Sequence, residues 1–183
     1  MKNQELIKKY ADTEYPIIGD YNTKRYGNDR MNEYVQKNLA NVVQLSNGML
    51  CGYSKPTIET RFCFSDEGPQ YEYYKELCSD NNHLKSYFLS RNTKELDEMI
   101  SVYENGDNKM PCVYDYENGL CKPSWCWRND EHNDNYLPIN EQDTKVILEM
   151  LYEIRKDLIK RLETWWKKYG VEKLHIWTYW ANA

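Results

Sequence analysis

Residues 140–170, NEQDTKVILEMLYEIRKDLIKRLETWWKKYG, carry one unbroken apolar stripe. Ile147, Leu151, Ile154, Leu158, Leu162, Trp165 and Tyr169 fall at steps of three and four, so they share one face of an α-helix. A helix of this length spans roughly 45 Å. The rest of the chain must cover that face along its whole length. Asn140 with Asp143 three residues on resembles a capping box, although Asp is not the usual residue at its third position. Gly170 stands where a helix takes a left-handed C-cap.

The following segment, VEKLHIWTYW, alternates and predicts a strand that turns back beside the helix. Leu174, Ile176, Thr178 and Trp180 take one face, and His175, Trp177 and Tyr179 the other. Both faces are bulky. The strand is therefore central and covered twice, or it leaves its second face open for binding. Burial is the commoner fate of such rings, and a core strand is the expectation.

Other strands announce themselves through turns. NVVQLSNGMLCGY places two apolar runs about Asn47-Gly48, a pair that suits a type I′ hairpin turn. A two-residue loop would set Ser46 opposite Met49 and Leu45 opposite Leu50. Lys55-Pro56 breaks the second run. TIETRFCFS then alternates, with Ile58, Thr60, Phe62 and Phe64 on one face and Thr57, Glu59, Arg61 and Cys63 on the other. Three antiparallel strands in a row predict a meander. Asn118-Gly119 repeats the hairpin signal, with Glu117 opposite Leu120 and Tyr116 opposite Cys121. Helices are expected near the N-terminus, from Asp29 toward Leu39, over about Gln70–Asp80, and from His83 to Gly106. In the last of these, Leu96, Met99, Ile100 and Tyr103 fall at helical intervals. The fold class expected is α+β: an antiparallel sheet of hairpins, with a C-terminal strand packed against a long C-terminal helix and shorter helices. The 183 residues fit a single domain, with a protruding acidic hairpin at about 110–135.

Charge is unevenly spread along this chain of net −5. Residues 104–143 hold nine acidic and three basic side chains, whereas residues 144–183 hold five and eight. The acidic block repels free nucleic acid. It suits a partner with a basic surface, or it is simply a solvated loop. Lys160, Arg161, Lys167 and Lys168 on the long helix can follow a phosphate backbone, or lie on its solvated face. Seventeen tyrosines supply rings for a core or a contact surface.

Catalytic signatures are absent from the sequence: no GxGxxG, phosphate-binding loop, HExxH, GxSxG or EF-hand motif occurs. His132 lies among Asp130, Glu131 and Asp134, where negative charge would hold its proton and make it a candidate general base. His175 reads as a structural histidine and His83 as part of a helix N-terminus. RNDEHNDN lacks the regular spacing of a cation loop. Cys121, Cys126 and His132 are loosely spaced like metal ligands, but no CxxC occurs. The six cysteines are expected as reduced thiols, with no metal and no cofactor. The opening MKNQELIKKYADTEY is charged, and no apolar run reaches membrane-spanning length, so a cytoplasmic protein without membrane contact is expected.

Two stretches, KPTIETRFCFS and RLETWWKKYGVEKLHIWTYW, resemble small proteins carried by phages and plasmids of Firmicutes. In size and in its acidic, tyrosine-rich composition the chain is also similar to anti-CRISPR proteins that inhibit Cas9. The resemblance implies a counter-defence protein of mobile elements, acting in the bacterial cytoplasm by binding Cas9 or its guide RNA complex. It transfers no site residues. The residues that suit such a partner are Asp115, Glu117, Asp130, Glu131 and Asp134 for charge and Trp125 and Trp127 as anchors. Two rivals stand beside this expectation. One is a nuclease that trims guide RNA with His132 or His175; the other is a mobile-element interaction protein unrelated to CRISPR.

Overall fold

The computed structural model describes residues 2–17, 27–65, 69–106, 109–115, 120–123 and 136–179. Its architecture is α+β, as the sequence predicts. In chain order the elements are α1 (Lys2–Glu14), α2 (Asn28–Asn38), β1 (Leu39–Gln44), β2 (Leu50–Ser54), β3 (Arg61–Ser65), α3 (Pro69–Ser79), α4 (Asn81–Glu104), β4 (Lys109–Asp115), β5 (Leu120–Pro123), β6 (Tyr136–Pro138), α5 (Glu141–Tyr169) and β7 (His175–Tyr179). No helix of the described residues is long and apolar enough to cross a membrane. The chain divides into two compact units. One takes Met1–Pro56 with Met99–Ile154, the other Thr57–Glu98 with Arg155–Ala183.

In the first unit α1 lays Tyr10 on Leu39 and Val42 of β1, with Leu6, Ile7, Val35 and Leu50 closing the cluster. β1 and β2 form an antiparallel hairpin, but one residue out of the expected register. Gln44 faces Leu50, and Leu45 donates its N–H to Met49 O at 2.8 Å. The loop is Ser46-Asn47-Gly48. Gly48 alone takes positive φ, at 86°, and its N–H closes the turn on Leu45 O at 2.9 Å. A three-residue loop with a left-handed glycine needs one such residue where the type I′ turn needs two. Asn47 therefore keeps an ordinary backbone and caps the turn instead, its Oδ1 accepting from Met49 N at 3.0 Å.

The meander does not form. β3 belongs to the second unit and pairs with β7 in parallel, Arg61 opposite His175 and Ser65 opposite Tyr179. Just before β3 the backbone is held by a helix of the same unit. Asn92 of α4 donates its side-chain amide to Glu59 O at 3.1 Å and accepts from Glu59 N at 2.6 Å. These are the backbone groups a ladder with β2 would use. The predicted alternation survives: Thr57, Glu59, Arg61 and Cys63 are exposed, while Phe62 is 1% exposed. Beneath it lies an aromatic core. Phe88 of α4 meets Phe62 edge-on at 6.4 Å, stacks on Trp165 at 5.0 Å and lies 5.4 Å from Trp166. Within this unit α4 and α5 run antiparallel, with Lys85 facing Glu163 and Asp97 facing Arg155.

The apolar stripe of α5 is buried as expected from Ile147 to Leu162, and Trp165 and Tyr169 at its end are half-buried. Leu96, Met99, Ile100 and Tyr103 of α4 are likewise buried. Gly170 takes φ of 55°, the left-handed C-cap foreseen for it. Leu174, just before β7, and Ile176 within it are half-buried and His175 is exposed, so the predicted faces hold where side chains are described, but among the described residues β7 has β3 as its one neighbour and is not the central strand expected. Trp180 lies outside the described residues.

Cys51 on β2 is 2% exposed. Burial first, and the charge of Asp143 second, push its thiol up from 9.0 to about 12. Burial raises Tyr53 as well. A group that keeps its proton in the fold and loses it on unfolding binds fewer protons unfolded, so stability falls as pH rises. The contribution is intact below pH 9.0 and erodes between there and about 12. The slope for one such group is at most about 1.4 kcal/mol per pH unit. Urea midpoints measured at several pH values above 9 should decline for the natural chain and decline less steeply for Cys51→Ala. Parallel slopes would show that this thiol titrates normally.

Candidate functional site

The acidic segment is framed by a three-stranded antiparallel sheet of order β5-β4-β6. β4 is its central strand. Asp115 pairs with Leu120 and Tyr114 with Cys121, where Glu117 and Tyr116 were expected; the register is shifted by two residues, so the connection is two residues longer and the same faces stay together. Residues 116–119 lie outside the described residues. β6 was not foreseen: it is only three residues long and ends on Pro138, which has no N–H for a ladder. It pairs Tyr136 with Pro111 and Pro138 with Lys109.

This register has a geometric result. Pro123, the end of β5, sits opposite Cys112, and Tyr136, the start of β6, sits opposite Pro111. Two neighbouring residues of β4 thus hold both ends of the segment 124–135, one on each side. Two strand spacings put those ends about 10 Å apart. Residues 124–135 themselves lie outside the described residues.

Of the residues proposed for partner contact, Asp115 lies at the end of β4. Glu117, Trp125, Trp127, Asp130, Glu131 and Asp134 lie outside the described residues. So do Cys126 and His132, two of the three loosely spaced ligand types. Among the described residues no group of three His, Cys, Asp or Glu side chains is arranged to hold a metal ion. His83 is where it was expected, in the first turn of α4, 3.8 Å from Asp80 Oδ2. His175 is exposed at the start of β7.

The basic residues of α5 separate into two kinds. Lys160, Lys167 and Lys168 are exposed, Lys160 and Lys167 being two turns apart on one face. Arg161 is half-buried and donates from Nε to Asp157 Oδ2 at 2.9 Å. Its charge is therefore already paired within the helix. Lys168 lies 4.8 Å from the Tyr169 ring centre.

A polar cluster that sequence reasoning missed anchors the start of α5. Asn140 Oδ1 accepts from Asp143 N at 2.8 Å, the N-cap bond foreseen from the sequence. Asp143 does not reach back, being one methylene shorter than Glu. It is 6% exposed, and its two oxygens accept from Ser46 N at 2.9 Å and Ser46 Oγ at 2.7 Å. Asn140 Nδ2 in turn donates to Ser46 Oγ at 2.8 Å. The hairpin loop is thereby clipped to the helix cap across 97 residues of sequence. The unusual aspartate was the only hint of it. The cluster contains no base for the serine hydroxyl other than this carboxylate, and its four hydrogen bonds tie the loop to the cap; it is a structural clasp.

Comparison with known families, curated proteins and solved structures finds no match.

Proposed function

We propose that the chain is a binding protein that docks on a basic partner surface through the acidic segment carried by β4, β5 and β6. The observation that supports it is the register of that sheet. It brings both ends of the segment holding Trp125, Trp127, Asp130, Glu131 and Asp134 to the waist of one strand, beside the hairpin of Asp115 and Glu117. Rings that anchor and acids that steer, close together in one segment of sequence, are the ingredients of an interface. The resemblance to anti-CRISPR proteins makes Cas9, with its positively charged nucleic-acid channel, the partner of first choice. In that setting Lys160, Lys167 and Lys168 would meet phosphate, while Arg161 stays with Asp157.

The test is binding to Cas9 loaded with guide RNA, together with cleavage of a target plasmid. Changing Asp115, Glu117, Asp130, Glu131 and Asp134 to their amides should weaken binding by about tenfold or more at low salt, since exposed pairs contribute about 0.2–1 kcal/mol each. The loss should shrink as salt rises. Trp125→Ala or Trp127→Ala should weaken it by about thirtyfold at either salt. Full binding by all these variants would remove the site. No binding by the natural chain would remove this partner. Guide RNA cut to fragments, with cutting lost in His132→Ala or His175→Ala, would replace the binding reading with a nuclease.

A further inference from the structure

Three Asn-Gly pairs occur in the chain, at Asn47-Gly48, Asn105-Gly106 and Asn118-Gly119. Asparagine followed by glycine is the pair most prone to rearrange without an enzyme, because glycine has no side chain to keep its nitrogen from the asparagine amide. The glycine backbone nitrogen attacks the asparagine Cγ and gives up its proton. The side-chain nitrogen leaves as ammonia, and a five-membered succinimide remains. Water then opens either carbonyl of the ring, giving aspartate or isoaspartate. One water is consumed and one ammonia released, with no oxidant or reductant.

The fold treats the two described pairs differently. Both asparagines and both glycines are exposed, and both glycines take positive φ. At the hairpin both the attacking nitrogen and the carboxamide oxygen are engaged at ordinary hydrogen-bond length. Gly48 N–H is bonded to Leu45 O at 2.9 Å, and Asn47 Oδ1 holds Met49 N at 3.0 Å. The residue before, Ser46, is clasped by Asp143 through two bonds. At the end of α4 the hold is looser. Gly106 N–H reaches Tyr103 O at 3.3 Å, and Asn105 Nδ2 reaches Ser101 Oγ at 3.3 Å, both at the long limit of a hydrogen bond. The last turn of a helix also opens readily, since its final carbonyls lack partners in the helix.

We infer that Asn105 is a site of spontaneous conversion to aspartate and isoaspartate in the folded protein, and that the hairpin shields Asn47 from the same reaction. The consequence is local and physical. A new carboxylate appears at the negative end of the α4 dipole, beside Glu104, which bonds Tyr152. The isoaspartyl form also lengthens the backbone by one methylene between α4 and β4, the strand at the centre of the acidic sheet.

The experiment incubates the natural chain in native buffer and, in parallel, in concentrated urea. Mass spectrometry of digested samples then follows the mass gain at each of the three sites. In urea the three rates should be alike. In native buffer Asn105 should convert roughly tenfold faster than Asn47, the effect of one to two further hydrogen bonds that must open at the hairpin. Equal native rates at the two sites, or a faster Asn47, would overturn the inference. So would a native Asn105 rate as slow, relative to urea, as that of Asn47. The outcome does not depend on the binding partner.

Discussion

Phe88→Ala should destabilise the protein by about 3–5 kcal/mol, the range for emptying a buried phenylalanine site. Phe88 is 0% exposed and is the ring on which Phe62, Trp165 and Trp166 converge. Its removal leaves a cavity that rigid neighbours on a strand and a helix cannot readily fill. A domain of ordinary stability has about 5–15 kcal/mol in total, so the urea midpoint should move far and the yield of folded protein should fall. Leu84→Ala, on the same helix with a smaller side chain at 6% exposure, serves as a milder probe of the same unit. The near-ultraviolet signal of Trp165 and Trp166 should weaken in the folded variant, because Phe88 packs directly on both. A change under about 1 kcal/mol would mean that the site collapses freely or that the cluster is not core. By contrast Tyr73→Ala, which removes a 48% exposed ring from the edge of the same cluster, should stay within about 1 kcal/mol.

Asp143→Ala should cost about 2–4 kcal/mol. Two hydrogen bonds to a charged group are lost, each contributing about 1.5–3 kcal/mol, and water reaches the exposed Ser46 to recover part of that. Its negative charge in the first turn of α5 also goes. Asp143→Asn keeps the shape and should fall about halfway. Ser46→Ala removes the hydroxyl and leaves the backbone donor. The double variant then measures the coupling between loop and helix cap, expected at about 1–2 kcal/mol by thermodynamic cycle. Strict additivity would mean that the two residues do not support each other.

The long helix could be read from its stripe because its signal is internal. Seven residues from Ile147 to Tyr169 repeat at the helical period, and no distant partner is needed to reveal them. The N-cap at Asn140 and the C-cap at Gly170 are local in the same way. Pairing is another matter. TIETRFCFS showed that it was a strand and which residues face inward, but nothing in it distinguishes β2 from β7 as its neighbour. Nor does it reveal that Asn92 of a helix far along the chain holds the backbone of Glu59 just before the strand. The first hairpin was misjudged by one residue because Asn47-Gly48 suits two loop lengths, and the Ser46–Asp143 clasp that accompanies the longer one lies far away in sequence. At the candidate site the acidic composition was legible, whereas β6, and with it the closeness of the segment's two ends, was not.

The parallel pair of β3 and β7 joins residues 114 positions apart, Arg61 with His175. At roughly 5–20 residues per second, a ribosome needs about 6–23 s to make the intervening chain. For that time RFCFS, with its two phenylalanines, has left the exit tunnel without the strand it will pair with. Such a segment is a template for the wrong neighbour. Charges bracket it: Glu59 before it, Arg61 at its first position, and Asp66 and Glu67 after it, of the kind that discourage one nascent chain from adding to another.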